Sequence, residues 1–164
     1  MNVEIASRPA ERSAIAGTMA VMTRAFPPEF GEAWTEQQLR STLVMPGVTL
    51  YVAKADNEIS GFALVRHVLD EAELLLIAID PAHRRKSAAT NLLSFVERHL
   101  YETGITHMFL EMRDGNPAEF LYRRFGFEKI GHRPNYYRGS HGGHYDAVTF
   151  GKNPLTLHPS NNVD

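Results

Sequence analysis

Cysteine is absent from the 164 residues. That excludes disulfides and thiolate metal centres, and it removes the commonest covalent acyl carrier, so an acyl transfer on this chain is expected to run directly from donor to acceptor. No apolar run approaches the roughly 18 residues a membrane-spanning helix needs. The N-terminus has no charged-then-apolar leader pattern, which makes a cytoplasmic home the expectation, with no membrane partner. Charge of one sign is lacking too: 17 Lys and Arg stand against 19 Asp and Glu, a formal −2. There is thus no chain-wide signature of direct nucleic-acid binding, and any basic patch is local. What is present is 43% hydrophobic residues, enough for a single globular core.

Val3 to Ala6 reads as a first strand. Pro9 suits the opening turn of a helix whose apolar positions Ile15, Met19, Met22 and Phe26 recur at three and four, and Pro27-Pro28 ends it. Thr35 and Gln38 have the spacing of a capping box for a second helix around Leu39 and Leu43. Val48 to Ala55 and Ile59 to Leu69 flank Asp56-Asn57-Glu58, a hairpin signal. Glu73 to Ile79 follows as an apolar strand. A helix after Ser87 carries Leu92, Leu93, Val96 and Leu100 up to Gly104, a good residue just past a helix end. Thr106 to Met112, a short helix after Pro117, and strands at Glu128 to Arg133 and Tyr145 to Phe150 complete the pattern. The expectation is an α+β fold, α/β-like and three-layered, with a mixed sheet of about seven strands and about four helices. One domain is expected over residues 1–152. Two prolines and three asparagines after Lys152 suggest a disordered tail over 153–164.

The richest stretch is Leu75 to Thr90. An apolar strand runs into Asp80-Pro81 and then a basic, small-residue turn that opens a helix. Free backbone N–H groups at such a helix start, with the helix dipole and nearby cations, make a cradle for a pyrophosphate; the alternative is a solvated basic loop. In Met108-Phe109-Leu110-Glu111-Met112-Arg113, Glu111 is a carboxylate in an otherwise apolar strand, read as buried on both faces. Burial would raise it toward a general base, or it is a structural Glu paired to Arg113 or another cation. Tyr122, on the short helix, is either a packing residue or a phenol of ordinary pKa about 10, able to protonate a departing thiolate. His141-Gly142-Gly143-His144 has no cysteine or obvious third ligand beside it, and no metal is expected. Glu29, Glu32, Asp70, Glu71 and Glu73 either flank a substrate mouth that favours a basic peptide or are plain surface.

The order Ile77-Ala78-Ile79-Asp80-Pro81, the arginine-rich turn, Leu110-Glu111-Met112-Arg113, Asn116, Leu121-Tyr122, Gly126-Phe127, Asn135-Tyr136-Tyr137 and Asp146-Ala147 resembles the GNAT acetyltransferases. More closely it is similar to the RimI type, the bacterial ribosomal-protein alanine N-acetyltransferases, and Val68-Leu69-Asp70-Glu71-Ala72 fits the same type. The resemblance covers Ala25 to Lys152 and implies the GNAT acyl-CoA N-acyltransferase fold, with acetyl-CoA as cosubstrate. By it, Ile77, Ala78 and Ile79 would pair with the pantetheine arm through their backbones. Arg85, Lys86, Ser87, Ala88, Ala89 and Thr90 would hold the pyrophosphate, and Asn116 would contact the cofactor near its reacting end. Glu111 would accept a proton and Tyr122 donate one. Tyr136 and Tyr137 would line the peptide side, opposite Phe30 and Trp34. The turn departs from the family pattern in placing Ser87 where its first glycine belongs, which predicts weaker cofactor binding.

The resemblance implies acetyl transfer to the α-amine of a protein N-terminus, an alanine of a ribosomal protein first among candidates. An α-amine of pKa about 7.7–8.0 is roughly a fifth to a third neutral at pH 7.4, so it asks only a modest base. Two other readings stand beside this one. One is a small-amine acetyltransferase acting on a polyamine or amino-sugar, which the Tyr136-Tyr137 wall argues against. The other is a non-catalytic CoA-binding or interaction module whose turn has decayed at Ser87.

Overall fold

A computed structural model describes residues 1–84 and 87–159. Seven strands form one sheet: β1 (Asn2–Ile5), β2 (Val48–Ala55), β3 (Glu58–Val68), β4 (Glu71–Ile79), β5 (His107–Arg113), β6 (Glu128–Arg138) and β7 (His144–Lys152), in the order β1-β2-β3-β4-β5-β7-β6. Only β4 and β5 run parallel; every other neighbour is antiparallel. Helices α1 (Arg12–Ala25) and α2 (Glu36–Leu43) cover one face and α3 (Ala88–Glu102) and α4 (Glu119–Arg124) the other. The mixed seven-stranded sheet with four helices is as expected.

Local chemistry accounts for most of the elements. Thr35 and Gln38 form the reciprocal capping box at the start of α2. Asp56 and Asn57 both have positive φ between β2 and β3, the geometry that suits a tight hairpin's twist. Gly104 closes α3 at φ 89.

The sheet opens in its middle. β4 and β5 pair from Glu71 with His107 as far as Leu74 with Leu110, and no further. At that point β3 and β4 shift register, Leu64 facing Leu76 while Val65 faces Leu74, so Leu75 is an extra residue. The bulge reverses which side chains point where. Ala72 and Leu74 enter the core under α3, then Ile77 and Ile79 do, while Leu75, Leu76 and Ala78 pack toward α1 and α2. The two strands splay apart beyond it.

Three expectations change. β5 alternates rather than being buried throughout: Met108, Leu110 and Met112 are buried, while Phe109, Glu111 and Arg113 are half-buried on the other face. β6 extends past Arg133 to Arg138, through two irregularities. Within the segment 153–159 Leu155 anchors the chain: the core takes up its side chain (3% exposed) and its N–H donates to the Thr106 carbonyl at 2.7 Å. His158 stacks on Phe125 with ring centres 4.2 Å apart. Beneath lies a buried ion pair, Lys152 Nζ to Glu97 at 2.8 Å, which joins β7 to α3. The remaining tail, 160–164, lies outside the described residues.

Candidate active site

The splay leaves a cleft of about 680 Å³ between β4 and β5, within the range of small-molecule and cofactor sites. One wall is β4 from Leu74 to Ile79, whose edge carries no β5 partner beyond Leu74. Its backbone groups are available to an extended ligand, as at any unpaired strand edge. The α3 start and α4 contribute Ala89, Leu121 and Tyr122. The opposite wall comes from the α1–α2 loop (Phe30, Glu32, Trp34) and from β6 (Tyr136, Tyr137).

Tyr122 and Glu111 reach the cleft from opposite faces of the sheet, Tyr122 from the α3–α4 layer and Glu111 from the half-buried side of β5. Burial holds the Tyr122 hydroxyl well above the usual tyrosine range, and Tyr137 and Glu32 push the same way, so it stays protonated at neutral pH. Glu111 does not sit in an apolar pocket. Its carboxylate lies 3.5 Å from the Arg133 guanidinium and accepts from Thr149 Oγ1 at 3.4 Å. The cation is Arg133 because Arg113 is engaged elsewhere: its Nε meets Glu32 at 2.7 Å, with both side chains 11% exposed, and its guanidinium lies 3.7 Å from the centre of the Phe30 ring. Tyr137 is also held above the tyrosine range, first by burial and then by Glu111 and Glu32.

Asn116 lines the cleft with both ends of its amide in use. Nδ2 donates to Glu32 at 3.2 Å and Oδ1 accepts from Ala118 N at 2.9 Å. The α1–α2 loop is thereby tied to β5 and to the start of α4. It also presses on the β6–β7 hairpin, since a Cβ at Gly31 would collide with the Arg138 carbonyl.

At the α3 start, Ser87 has φ 56, the left-handed conformation that suits glycine, and its side chain does not cap the helix. The first intrahelical bond there runs from Asn91 N to Ser87 O at 2.8 Å, so the amides of Ala88, Ala89 and Thr90 precede the helical ladder. Ala88 buries its methyl group in the core, and the Thr90 hydroxyl accepts from Arg124 at 2.9 Å. Arg85 and Lys86 lie outside the described residues. Arg84 lines the cleft and donates to the Ile79 and Ala25 carbonyls.

The free β4 edge leaves Ile77, Ala78 and Ile79 able to pair with an extended ligand, as the sequence resemblance implies. The Acetyltransferase (GNAT) family matches residues 19–127. The chain belongs to the GNAT acetyltransferase family. It is 41% identical to the ribosomal protein bS18-alanine N-acetyltransferase of Haemophilus influenzae over 93 residues, 57% of this chain and 64% of that protein. The chain thus spans somewhat under two thirds of that relative's length. The enzyme of the same name from Haemophilus ducreyi is 34% identical over 116 residues, 70% of this chain and 79% of the relative. The crystal structure of the ribosomal-protein-S18-alanine N-acetyltransferase from Escherichia coli superposes with a TM-score of 0.79 at 28% identity, covering 98% of both chains.

Within this GNAT domain, the cleft gathers Ile77, Ala78, Ile79, Ala89, Glu111, Asn116, Tyr122, Phe30, Trp34, Tyr136 and Tyr137 from the sequence reading. Ser87, Ala88 and Thr90 are not among its lining residues. Of the acidic residues suggested for a substrate mouth, Glu32 and Glu73 line the cleft, with Glu73 paired to Arg66 at 2.9 Å. Sequence reasoning missed the Glu32–Arg113 pair, 81 positions apart, and the Glu111–Arg133 pair, because no local pattern announces either. Among the described residues, Asp114, His132 and Asp146 bring donor atoms within 4.8 Å of one another on the outer surface of the sheet's end. His132 Nε2 and both Asp146 oxygens already have protein partners there. No helix of the described residues is long and apolar enough to cross a membrane.

Proposed function

We propose that this chain is an acetyl-CoA-dependent N-acetyltransferase acting on the α-amine of a protein N-terminus, with the N-terminal alanine of a ribosomal protein as its substrate. The observation that carries this reading is the cleft that opens where β4 and β5 part, with an uncovered strand edge on one wall and aromatic side chains on the other. The activity named for the relatives from both Haemophilus species supports the choice of substrate.

Acetyl-CoA supplies an activated acyl group as a thioester. Ile77, Ala78 and Ile79 offer backbone partners to its pantetheine arm, and the amides of Ala88, Ala89 and Thr90, which precede the α3 ladder, are the donors for its pyrophosphate. Asn116 orients the reacting end through the contacts it shares with Glu32 and Ala118. On the peptide side, Phe30, Trp34, Tyr136 and Tyr137 wall the substrate backbone. Glu111 takes the ammonium proton, directly or through a water, and Arg133, 3.5 Å away, orients its carboxylate. Attack of the neutral amine on the thioester carbonyl builds an oxyanion, which a backbone N–H of 77–79 stabilises; its collapse breaks the C–S bond, and the nitrogen releases its extra proton to solvent. Tyr122 is a weaker acid than an exposed tyrosine, so a hydrogen bond to the departing thiolate is the larger part of its role, completed by proton transfer.

The test is acetyl-CoA turnover on an alanine-initiated peptide beside a panel of polyamines and amino-sugars, with Glu111→Gln and Tyr122→Phe. Turnover on the peptide is expected to exceed that on the small amines, and each variant to lower kcat by about tenfold or more. Preference for a small amine would overturn the substrate class. Undiminished kcat in both variants would remove the acid–base assignment.

A further inference from the structure

The stretch of β6 that carries Tyr136 and Tyr137 has lost its ladder. Arg133 faces Ala147 and the next paired residue, Tyr137, faces Tyr145, so Pro134, Asn135 and Tyr136 together stand against the single residue Asp146. Asn135 has φ 53, and Pro134 has no N–H to restore the pairing. All three bulged residues are exposed. A bulge of this kind at a sheet edge is loosely held unless a side chain replaces the missing backbone partner.

Asp146 is that side chain. Its Oδ1 accepts the Asn135 N–H at 2.9 Å, and its Oδ2 lies 2.9 Å from His132 Nε2 on the regular part of the same strand. One carboxylate from β7 therefore fastens the bulge at its apex and the strand just before it. The Asn135 N–H and His132 hold the Asp146 carboxyl below the usual carboxylate range, so it is a charged acceptor at neutral pH.

We propose that Asp146 is a positioning residue for the acceptor: by clamping the β6 bulge it fixes the Tyr136 and Tyr137 rings at the cleft and sets affinity for the peptide without touching it. The rings meet edge to face at 5.0 Å, and the Arg133 guanidinium lies 4.6 Å from the centre of Tyr136. The proposal rests on the peptide-side role given to the tyrosines above, and its test has an arm that does not.

The experiment compares wild type, Asp146→Ala, Asp146→Asn and His132→Ala by amide hydrogen exchange and by steady-state kinetics. Faster exchange over residues 135–137 is expected in Asp146→Ala, with β5 and the rest of β7 unchanged. The peptide KM should rise about tenfold, the loss of one charge-assisted hydrogen bond, while the acetyl-CoA KM stays within about twofold. Asp146→Asn keeps an oxygen for the Asn135 N–H and should recover part of the peptide KM. Unchanged exchange at 135–137 overturns the proposal, as does a peptide KM that stays put or an acetyl-CoA KM that rises in parallel. If Asp146→Ala does not fold, His132→Ala removes only the imidazole contact and should loosen the same segment; no loosening there overturns the proposal as well. Should wild type fail to acetylate the peptide, the functional reading falls, and the exchange result alone decides the clamp.

Discussion

The two walls of the cleft are built from different materials. The wall proposed for the cofactor is backbone and small side chains: an unpaired β4 edge, with Ala89 at the α3 start. The wall proposed for the acceptor, the acceptor-side wall, is rings and charges from distant elements, held by Glu32 on Arg113, Arg113 on Phe30, and Asp146 under the β6 bulge. A wall of backbone is sensitive to anything that shifts its element and tolerant of most side-chain changes. A wall of side-chain contacts is the reverse.

The largest expected effect breaks the support of the first wall. Lys152→Met leaves the Glu97 carboxylate buried without its cation under α3, and such a loss costs about 3–5 kcal/mol. Urea unfolding should show it, and the double variant Glu97→Leu with Lys152→Met should recover most of the loss. Equal stability of Lys152→Met and wild type would show that α3 is seated by apolar packing alone.

The next strikes the acceptor-side wall. Glu32→Ala frees Arg113 and Asn116 from the α1–α2 loop, and about tenfold in the peptide KM is expected for a charge-assisted contact of this kind. The acetyl-CoA KM, reached only through the Asn116 contact, should rise less. A parallel rise in both constants would mean that the loop serves both walls and the contrast fails.

Ser87→Gly sharpens the comparison from the other side. The residue has φ 56, a conformation in which a Cβ is strained, so glycine should raise stability by up to about 1 kcal/mol. It should also lower the acetyl-CoA Kd measured by calorimetry and leave the peptide KM unchanged. Weaker acetyl-CoA binding would mean that the serine hydroxyl itself holds the ligand.

The smallest expected effect is in acid. The Ala82 N–H, with Arg24 at 2.6 Å, holds the Asp80 carboxyl below its ordinary value at the end of β4. A carboxyl whose folded pKa is depressed stabilises the fold above the unfolded value of about 3.9, and that contribution is lost as pH falls through the folded pKa. Asp146 acts in the same direction. Urea midpoints taken from pH 7 down to pH 3 should therefore fall, and Asp80→Asn should start lower at neutral pH and flatten the acid limb.

Legibility in the sequence follows range. Thr35 and Gln38 are three residues apart, and their capping box was plain in the chain. So were the Asp56-Asn57 turn and the apolar stripe of α3 ending at Gly104, because each depends on dihedral preference or periodicity within one or two turns of backbone. Glu111, Tyr122 and the β4 edge were legible as candidates through the resemblance, in residue type and order. Their environments were not. A run such as Leu74-Leu75-Leu76-Ile77-Ala78-Ile79 has no alternation, so nothing in it marks Leu75 as the extra residue. Glu111 looked apolar in its surroundings because Arg133 and Thr149 come from other strands. The segment after Lys152 looked disordered by composition, yet Leu155 found a place in the α3-side core, bonded to Thr106 just before β5, that only the finished core offers.

By itself, then, the order of residues determined the elements and membership of the GNAT family, since these rest on local sterics, period and motif. The splay of β4 from β5, the pairing of Glu32 with Arg113, and the clamp of Asp146 on β6 were decided only in the folded chain. The Asp146 contacts span 11 and 14 residues and the Glu32–Arg113 pair 81, and only a closed sheet brings such groups within hydrogen-bonding distance while the entropy of bringing them together is shared by the whole core.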